Sequence, residues 1–391
     1  MKKNTRTETE MVMAATVTAS QAEESSSEEE RYWIGLDLGD KESTYCVLDR
    51  VGEVASRGKV KMREGELKRT FGGYRGSQLA VETGTHWLWI SQLISQMGVE
   101  VVVANARKVH LITKSRKKND AQDAETLARL LKADRKLLSP IVHRSPEAQQ
   151  DLLRIRARAQ AVKVRTEMIK AVQGLAKSVG MRLRHGDADN RGVDQVENWE
   201  PELAEILRPA LSLIEVCTLT IQTYNEQIEK NSAEKYPETQ RLTQVYGVGT
   251  LTATAVVLTL DDKTRFKQSR QLGPYLGLTR AQRQSSSSDP QLGISKEGDS
   301  YLRTLLVQSA QVLLSERAPD SELKRFGQRI ARSDQAQAGM LSDKERRKRK
   351  KVAVVAVARK LAVLLHRLWV TGEDYDPFYA AKRQQPGGKA A

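Results

Sequence analysis

Four acidic side chains form a set that could do chemistry together. Asp37 sits near the end of the apolar run Tyr32–Leu38, inside Gly35-Leu36-Asp37-Leu38-Gly39. Glu82 closes Gln78-Leu79-Ala80-Val81-Glu82, and Asp120 and Asp123 stand three residues apart at the start of a helical pattern. A carboxylate at the carboxyl end of a sheet strand lies where ligands bind in open α/β sheets. Acids at i and i+3 of a helix point to one side. Mg²⁺ or Mn²⁺ takes hard oxygen ligands, and two ions about 4 Å apart need three or four converging carboxylates. Ions so held polarise a phosphodiester and stabilise both the attacking and the leaving oxygen. Each acid also has a plain structural role. Asp37 suits a turn that caps local backbone, and Glu82 suits a solvated strand end. Asp120 and Asp123 suit a first helical turn, which such residues stabilise by about 0.5–2 kcal/mol.

The elements that would position these acids are legible as patterns. Tyr32–Leu38, Ser43–Leu48 and Val54–Lys61 read as strands, with Gly52 marking the turn of an antiparallel pair. Glu64–Phe71 reads as a short helix, Gln78–Glu82 as a strand, Trp87–Met97 as a helix and Val99–Val103 as a buried strand. Residues 119–133 read as an amphipathic helix with Ala124, Leu127, Leu130 and Leu131 on one stripe. A meander followed by alternating helices and strands predicts a mixed sheet with helices on its faces. Beyond it the pattern turns helical. Ala148–Lys177 and Pro201–Lys230 predict an antiparallel helical hairpin or coiled coil, joined by a polar loop over Gly186–Asn198. The expected organisation is a tail over 1–30, an α/β domain over 31–145, a hairpin over 146–235, a helical domain over 236–371 and a tail over 372–391.

Composition narrows the function. The chain has 391 residues and a formal net charge of +15. Residues 1–30 hold three cations and seven glutamates, a net −4 that leaves +19 on the rest. That excess favours a polyanionic partner, nucleic acid before an anionic membrane surface. Cys46 and Cys217 are the only cysteines, which excludes a disulfide framework and a cysteine-based zinc ribbon and fits a reducing cytoplasm. No secretory signal is legible, and the most apolar tract, Val352–Leu365, is broken by Arg359 and Lys360. No membrane role is expected. The five histidines are scattered without metal-ligand spacing and read as structural or incidental.

The acids and several further blocks resemble one family. Four carboxylates on strand 1, strand 4 and a later helix resemble an RNase H-like nuclease site. The order Gly-Leu-Asp, then Val81-Glu82-Thr83-Gly84, then Lys118-Asn119-Asp120 with Asp123-Ala124 and Leu127-Ala128 is similar to the DEDD transposases of bacterial insertion sequences. These are the bridge-RNA-guided recombinases and their Piv-type invertase relatives. The resemblance continues through Val245-Tyr246-Gly247-Val248-Gly249, Leu272-Gly273-Pro274-Tyr275-Leu276-Gly277-Leu278, Ile294-Ser295-Lys296-Glu297-Gly298-Asp299 and Tyr301-Leu302-Arg303. It covers about residues 32–379. It implies a RuvC-like (RNase H-like) α/β domain, a helical coiled-coil hairpin and a mostly α-helical C-terminal transposase domain. It further implies a Mg²⁺ or Mn²⁺ site at Asp37, Glu82, Asp120 and Asp123, and a serine nucleophile in the C-terminal domain. Counting from Gly277-Leu278 puts that serine at Ser285; the family's following glycine is Ser286 here, which leaves Ser285 and Ser286 both open. The implied partners are DNA, a guide (bridge) RNA and further copies of the chain in a dimer or tetramer, with the serine of one protomer serving the acids of another. The implied location is the bacterial cytoplasm, at the nucleoid.

Candidate nucleic-acid contacts follow from charge and turn chemistry. Lys117 and Lys118 lead into the second acid pair, Arg154 and Arg158 decorate the long helix, and Arg347 and Lys348 lie in the densest basic run. Lys296 and Arg303 belong to the C-terminal blocks. Gly247 and Gly249 suit a helix-hairpin-helix type turn that offers backbone N–H groups to phosphate. Such cations give salt-dependent affinity with little sequence readout. Aromatic residues are only 5 % of the chain, so stacking on single-stranded bases should not dominate.

Three other readings remain open on the sequence: a water-using nuclease or Holliday-junction resolvase, an actin-like ATPase, and a non-catalytic nucleic-acid-binding protein. The ATPase needs further Gly-rich phosphate loops that the sequence does not offer.

Overall fold

The computed structural model of the protein describes residues 31–106, 109, 119–141, 144–183, 196–197, 199–282, 290, 292–332 and 342–379. The chain divides into two compact units at the step from His143 to Arg144.

The N-terminal unit is built on a five-stranded sheet. Strands β1 (Trp33–Asp37), β2 (Glu42–Leu48) and β3 (Val54–Lys61) form an antiparallel meander. The β2–β3 turn is made by Asp49, whose carboxylate accepts the N–H groups of Gly52 and Glu53, with Gly52 at φ 100°. Helix α1 (Glu64–Phe71) returns the chain to β4 (Gln78–Glu82), which lies parallel to β1. Helix α2 (Trp87–Gln96) leads to β5 (Glu100–Ala104), parallel to β4. The strand order is β3-β2-β1-β4-β5. Alternation along the strands separates two cores. Ile34, Leu36, Leu79 and Val81 face Phe71, Leu67 and Ile90 of α1 and α2. On the other face Ala80 and Val102 meet Leu127 and Leu131 of helix α3 (Asp120–Ala133), while Cys46 and Leu48 meet Ala124 and Ala128. Phe71 is fully buried, worth up to about 3 kcal/mol.

The C-terminal unit begins with two long helices, α4 (Pro146–Ser178) and α5 (Pro201–Lys235). Arg154 bonds Gln227, Arg158 bonds Asn225 and Arg165 bonds Thr218, so one number rises as the other falls and the pair is antiparallel. Helix α5 runs five residues past the Lys230 end expected from periodicity. Its added turn is polar because it serves a buried acid. Asp151, 5 % exposed, accepts bonds from Arg154, Asn231, Lys235 and Tyr236. The hairpin loop expected over 186–198 lies largely outside the described residues.

Below the hairpin follow α6 (Thr250–Leu260), α7 (Ser300–Leu313), α8 (Glu322–Arg332) and α9 (Asp343–Thr371). Helix α6 is buried on every side from Thr252 to Leu260, the signature of a central core helix. Leu152, Ile155 and Ile228 of the hairpin share one core with Val257, Leu306 and Leu361. Hairpin and C-terminal helices, expected as two regions, therefore lie in one unit with a common core. Residues 373–379, expected as the start of a tail, are bonded to the body: Tyr375 donates its N–H to Gln244 Oε1, and Pro377 accepts the N–H of Glu322. Among the described residues no helix is long and apolar enough to cross a membrane.

Candidate functional site

The acids occupy one end of the sheet. The β1–β4 register pairs Leu36 with Val81, so Asp37 and Glu82 are the next residues on two adjacent parallel strands, at their carboxyl ends. Side-chain alternation puts Asp37 on the face of Gly35 and Glu82 on the face of Ala80, the face that α3 covers. The direction of α3 follows from its contacts. Lys132 lies with its ammonium 4.8 Å from the ring centre of Trp33, at the start of β1. Further along β1, Gly35 lies directly beneath the backbone of Ala124 and Ala128, where an added methyl would run into the Ala124 carbonyl. The helix thus runs antiparallel to β1, and its first turn lies at the Asp37 end. Asp120 is one turn before Ala124, which sits over β1. Asp123 is one turn before Leu127, which packs on Ala80 of β4.

Both aspartates lie in the first turn of α3, as their plain structural reading expects, and the N-cap itself is their neighbour. Asn119 is the N-cap residue, and its side chain accepts the Ala121 N–H at 3.1 Å. In the turn after Asp37, Ser43 Oγ accepts the Gly39 N–H. Among the described residues no three acidic, histidine or cysteine side chains stand close enough together to enclose a metal ion as they are. The four acids offer only carboxylate oxygen, the kind of donor that magnesium or manganese takes. Ser285, Ser286, Lys117 and Lys118 lie outside the described residues.

In the C-terminal unit the Gly-x-Gly turn has the local form expected of it. Gly247 has φ 83° and lies against the Ser309 carbonyl, where a side chain would both strain the backbone and collide. Gly249 is the exposed N-cap position of α6, so the helix N-terminus opens at the surface. Arg280 and Ile294 form an antiparallel bridge.

A family model described as a transposase, of DEDD type, matches residues 34–180, the span that holds all four acids. A second, described as the transposase IS116/IS110/IS902 family, matches residues 239–327. The transposase of insertion sequence IS1111A from Coxiella burnetii is 29 % identical over 294 residues, 72 % of this chain and 77 % of that one. The transposase of IS1328 from Yersinia enterocolitica is 30 % identical over 240 residues, 59 % of this chain and 68 % of that one. The chain belongs to the IS110/IS116 family of insertion-sequence transposases.

Within this transposase the expected nucleic-acid contacts separate into two groups. Arg154 is tied to Asp151 and Gln227, Arg158 to Asn225, and Arg303 to the carbonyls of Leu276 and Glu297. These guanidinium groups hold the fold. Arg347 and Lys348 are exposed on the first turns of α9, and Lys296 is exposed in a turn at φ 57°. Near Asp37 and Glu82 stands a residue that sequence reasoning missed, His86. Its Nε2 lies 3.1 Å from Asp40 Oδ1, joining the segments that follow Asp37 and Glu82. The partners are 46 residues apart, so no local spacing could have shown the pair. His366 is structural: it is buried between Ser269 Oγ and the Lys263 carbonyl.

Proposed function

We propose that the transposase cuts and rejoins DNA strands to move its own insertion element, through acids of the N-terminal unit and a serine of the C-terminal unit. What supports this reading is that Asp37 and Glu82 end two adjacent parallel strands, with the first turn of α3, which carries Asp120 and Asp123, toward the same sheet end, in a chain of this family. The five-stranded mixed sheet with acids at its carboxyl edge supports a RuvC-like (RNase H-like) domain. Mg²⁺ or Mn²⁺ held by the four carboxylates would supply Lewis-acid polarisation of the scissile phosphodiester.

The residues then divide the work. Ser285, or its neighbour Ser286, attacks phosphorus through Oγ. A bond forms between Oγ and phosphorus while the bond to the leaving sugar oxygen breaks, and the serine proton passes by way of a carboxylate to that oxygen, which leaves as a hydroxyl. The sugar hydroxyl of a new strand reverses the step. The phosphoserine link keeps the phosphodiester energy, so rejoining needs no ATP. Arg347, Lys348, Lys296 and the Gly247–Gly249 turn are assigned to phosphate contacts. Strand exchange holds four cut ends together, which calls for a dimer or tetramer with serine and acids from different protomers. Target choice is assigned to a structured guide RNA, consistent with surface cations that read phosphate rather than bases. The site of action is the bacterial nucleoid.

The test is to trap the covalent intermediate on end-labelled DNA with magnesium. Wild type is expected to give a protein–DNA adduct that Asp37→Asn abolishes, and that one of Ser285→Ala and Ser286→Ala abolishes. Cleavage that survives both serine substitutions without an adduct replaces the serine mechanism with water attack.

A further inference from the structure

The C-terminal unit carries a groove of about 1080 Å³ along α9, beside the Arg280–Ile294 bridge. Its floor is aliphatic, with Leu278, Leu292, Val352, Val355 and Leu364 among its residues, and Val352 is 54 % exposed. Its rim is cationic: Arg270, Arg280, Lys348, Lys351 and Arg359 outnumber the acids Glu322 and Asp376. Nucleic acid is a poor match for this floor. Bases prefer aromatic faces, and two of the groove's rings, Phe326 and Tyr379, are already covered by Lys360 and Arg367 at 3.8 Å.

The same unit carries a surface of the opposite kind. Helix α5 buries Leu207, Leu211, Ile214 and Ile221 toward α4. Its outward side shows Ile206, Leu213, Val216 and Leu219, with Ile206 69 % and Val216 57 % exposed. Exposed Glu202, Glu205 and Glu215 stand among them. Apolar patches of this extent on a helix already paired along its other side mark an interaction surface. Helix α5 is held along α4, and none of its residues lines the groove.

We infer that the outward apolar and acidic face of α5 docks into the cationic, apolar-floored groove of a second copy of this chain. Leucine-type side chains fill the floor and the glutamates meet the rim. Two copies can serve each other reciprocally, each giving a helix and receiving one. The contact is independent of the metal chemistry, so either can fail without the other.

A cysteine-pair experiment on the full chain tests it, because Cys46 and Cys217 are both buried. One preparation carries Leu213→Cys and another Val352→Cys. Mixing them under mild oxidation is expected to give a covalent dimer that neither preparation gives alone. A dimer from Leu213→Cys alone shows that hairpins pair with each other and overturns the proposal. Charge reversal supplies a second reading by sedimentation. Lys351→Glu with Arg359→Glu, or Glu202→Lys with Glu205→Lys, should each weaken self-association at least about tenfold, and all four in one chain should restore it. Unchanged association, or a loss confined to DNA binding, overturns it.

Discussion

The two units carry their charge in opposite ways. In the N-terminal unit the groups proposed to act are acids at the ends of short strands and on the first turn of a helix, and main-chain pairing sets where the two strand acids stand. In the C-terminal unit they are cations, most of them on helices, and about half of those named from the sequence are hydrogen-bonded within the fold. A carboxylate that must meet a metal needs a rigid support. A cation that must meet a flexible polyanion needs reach and numbers. Strand ends provide the first and exposed helix turns the second.

The contrast can be broken at several points. The largest expected effect is Asp37→Ala, which should lower strand cleavage by about a thousandfold or more while DNA binding and the folded state persist. Gel-resolved cleavage beside a filter-binding titration checks both halves. Next comes Asp151→Ala in the hairpin. Burial pushes the Asp151 carboxyl up, but hydrogen bonds from Tyr236, Lys235 and Arg154 outweigh it and hold the group below its usual range. Removing the acid strands its partners and should cost about 3–5 kcal/mol of unfolding free energy, measured by urea titration. Gly35→Ala should cost about 1–3 kcal/mol, because a methyl there pushes helix backbone off strand backbone. Its useful signature is a cleavage loss larger than the stability loss explains.

Two gentler tests address the cations and the buried histidine. Arg347→Ala with Lys348→Ala should weaken binding evenly across DNA sequences and flatten the salt dependence by about two units of slope. If these positions read bases instead, the loss would depend on sequence. The smallest effect belongs to His366. Burial lowers its pKa from the ordinary 6.5, with the bond to the Lys263 carbonyl opposing in part. The unfolded chain therefore takes up the proton first as pH falls. The stability tied to neutral His366 is complete above about 6.5 and drains away toward the native pKa. Thermal melts between pH 7.5 and 5.5 should fall more steeply for wild type than for His366→Gln.

Much of the N-terminal unit was legible because its signals are local. Alternation gave Val54–Lys61 and Gln78–Glu82 to the residue, and Gly52 gave the turn. The acidic end was legible only as four separate strand and helix termini; which face each acid shares depends on the β1–β4 register and the direction of α3, and neither is written in any one segment. The last turn of α5 was missed because Asn231 and Lys235 look like surface residues until Asp151, some eighty positions earlier, is placed beside them. The partners within the fold of Arg154, Arg158 and Arg303, expected as DNA contacts, were missed for the same reason. The charge of these arginines is visible in the sequence, while the acceptors that engage them come from elsewhere in the fold.

At Gly35 main chain rests on main chain, with no side chain between strand and helix to act as a cushion. A shift of the helix end is passed straight on to the neighbouring strand, and both pairs of acids travel as one piece. Ordinary drift in the surrounding hydrophobic residues can then retune the unit's stability without detuning the spacing of its carboxylates.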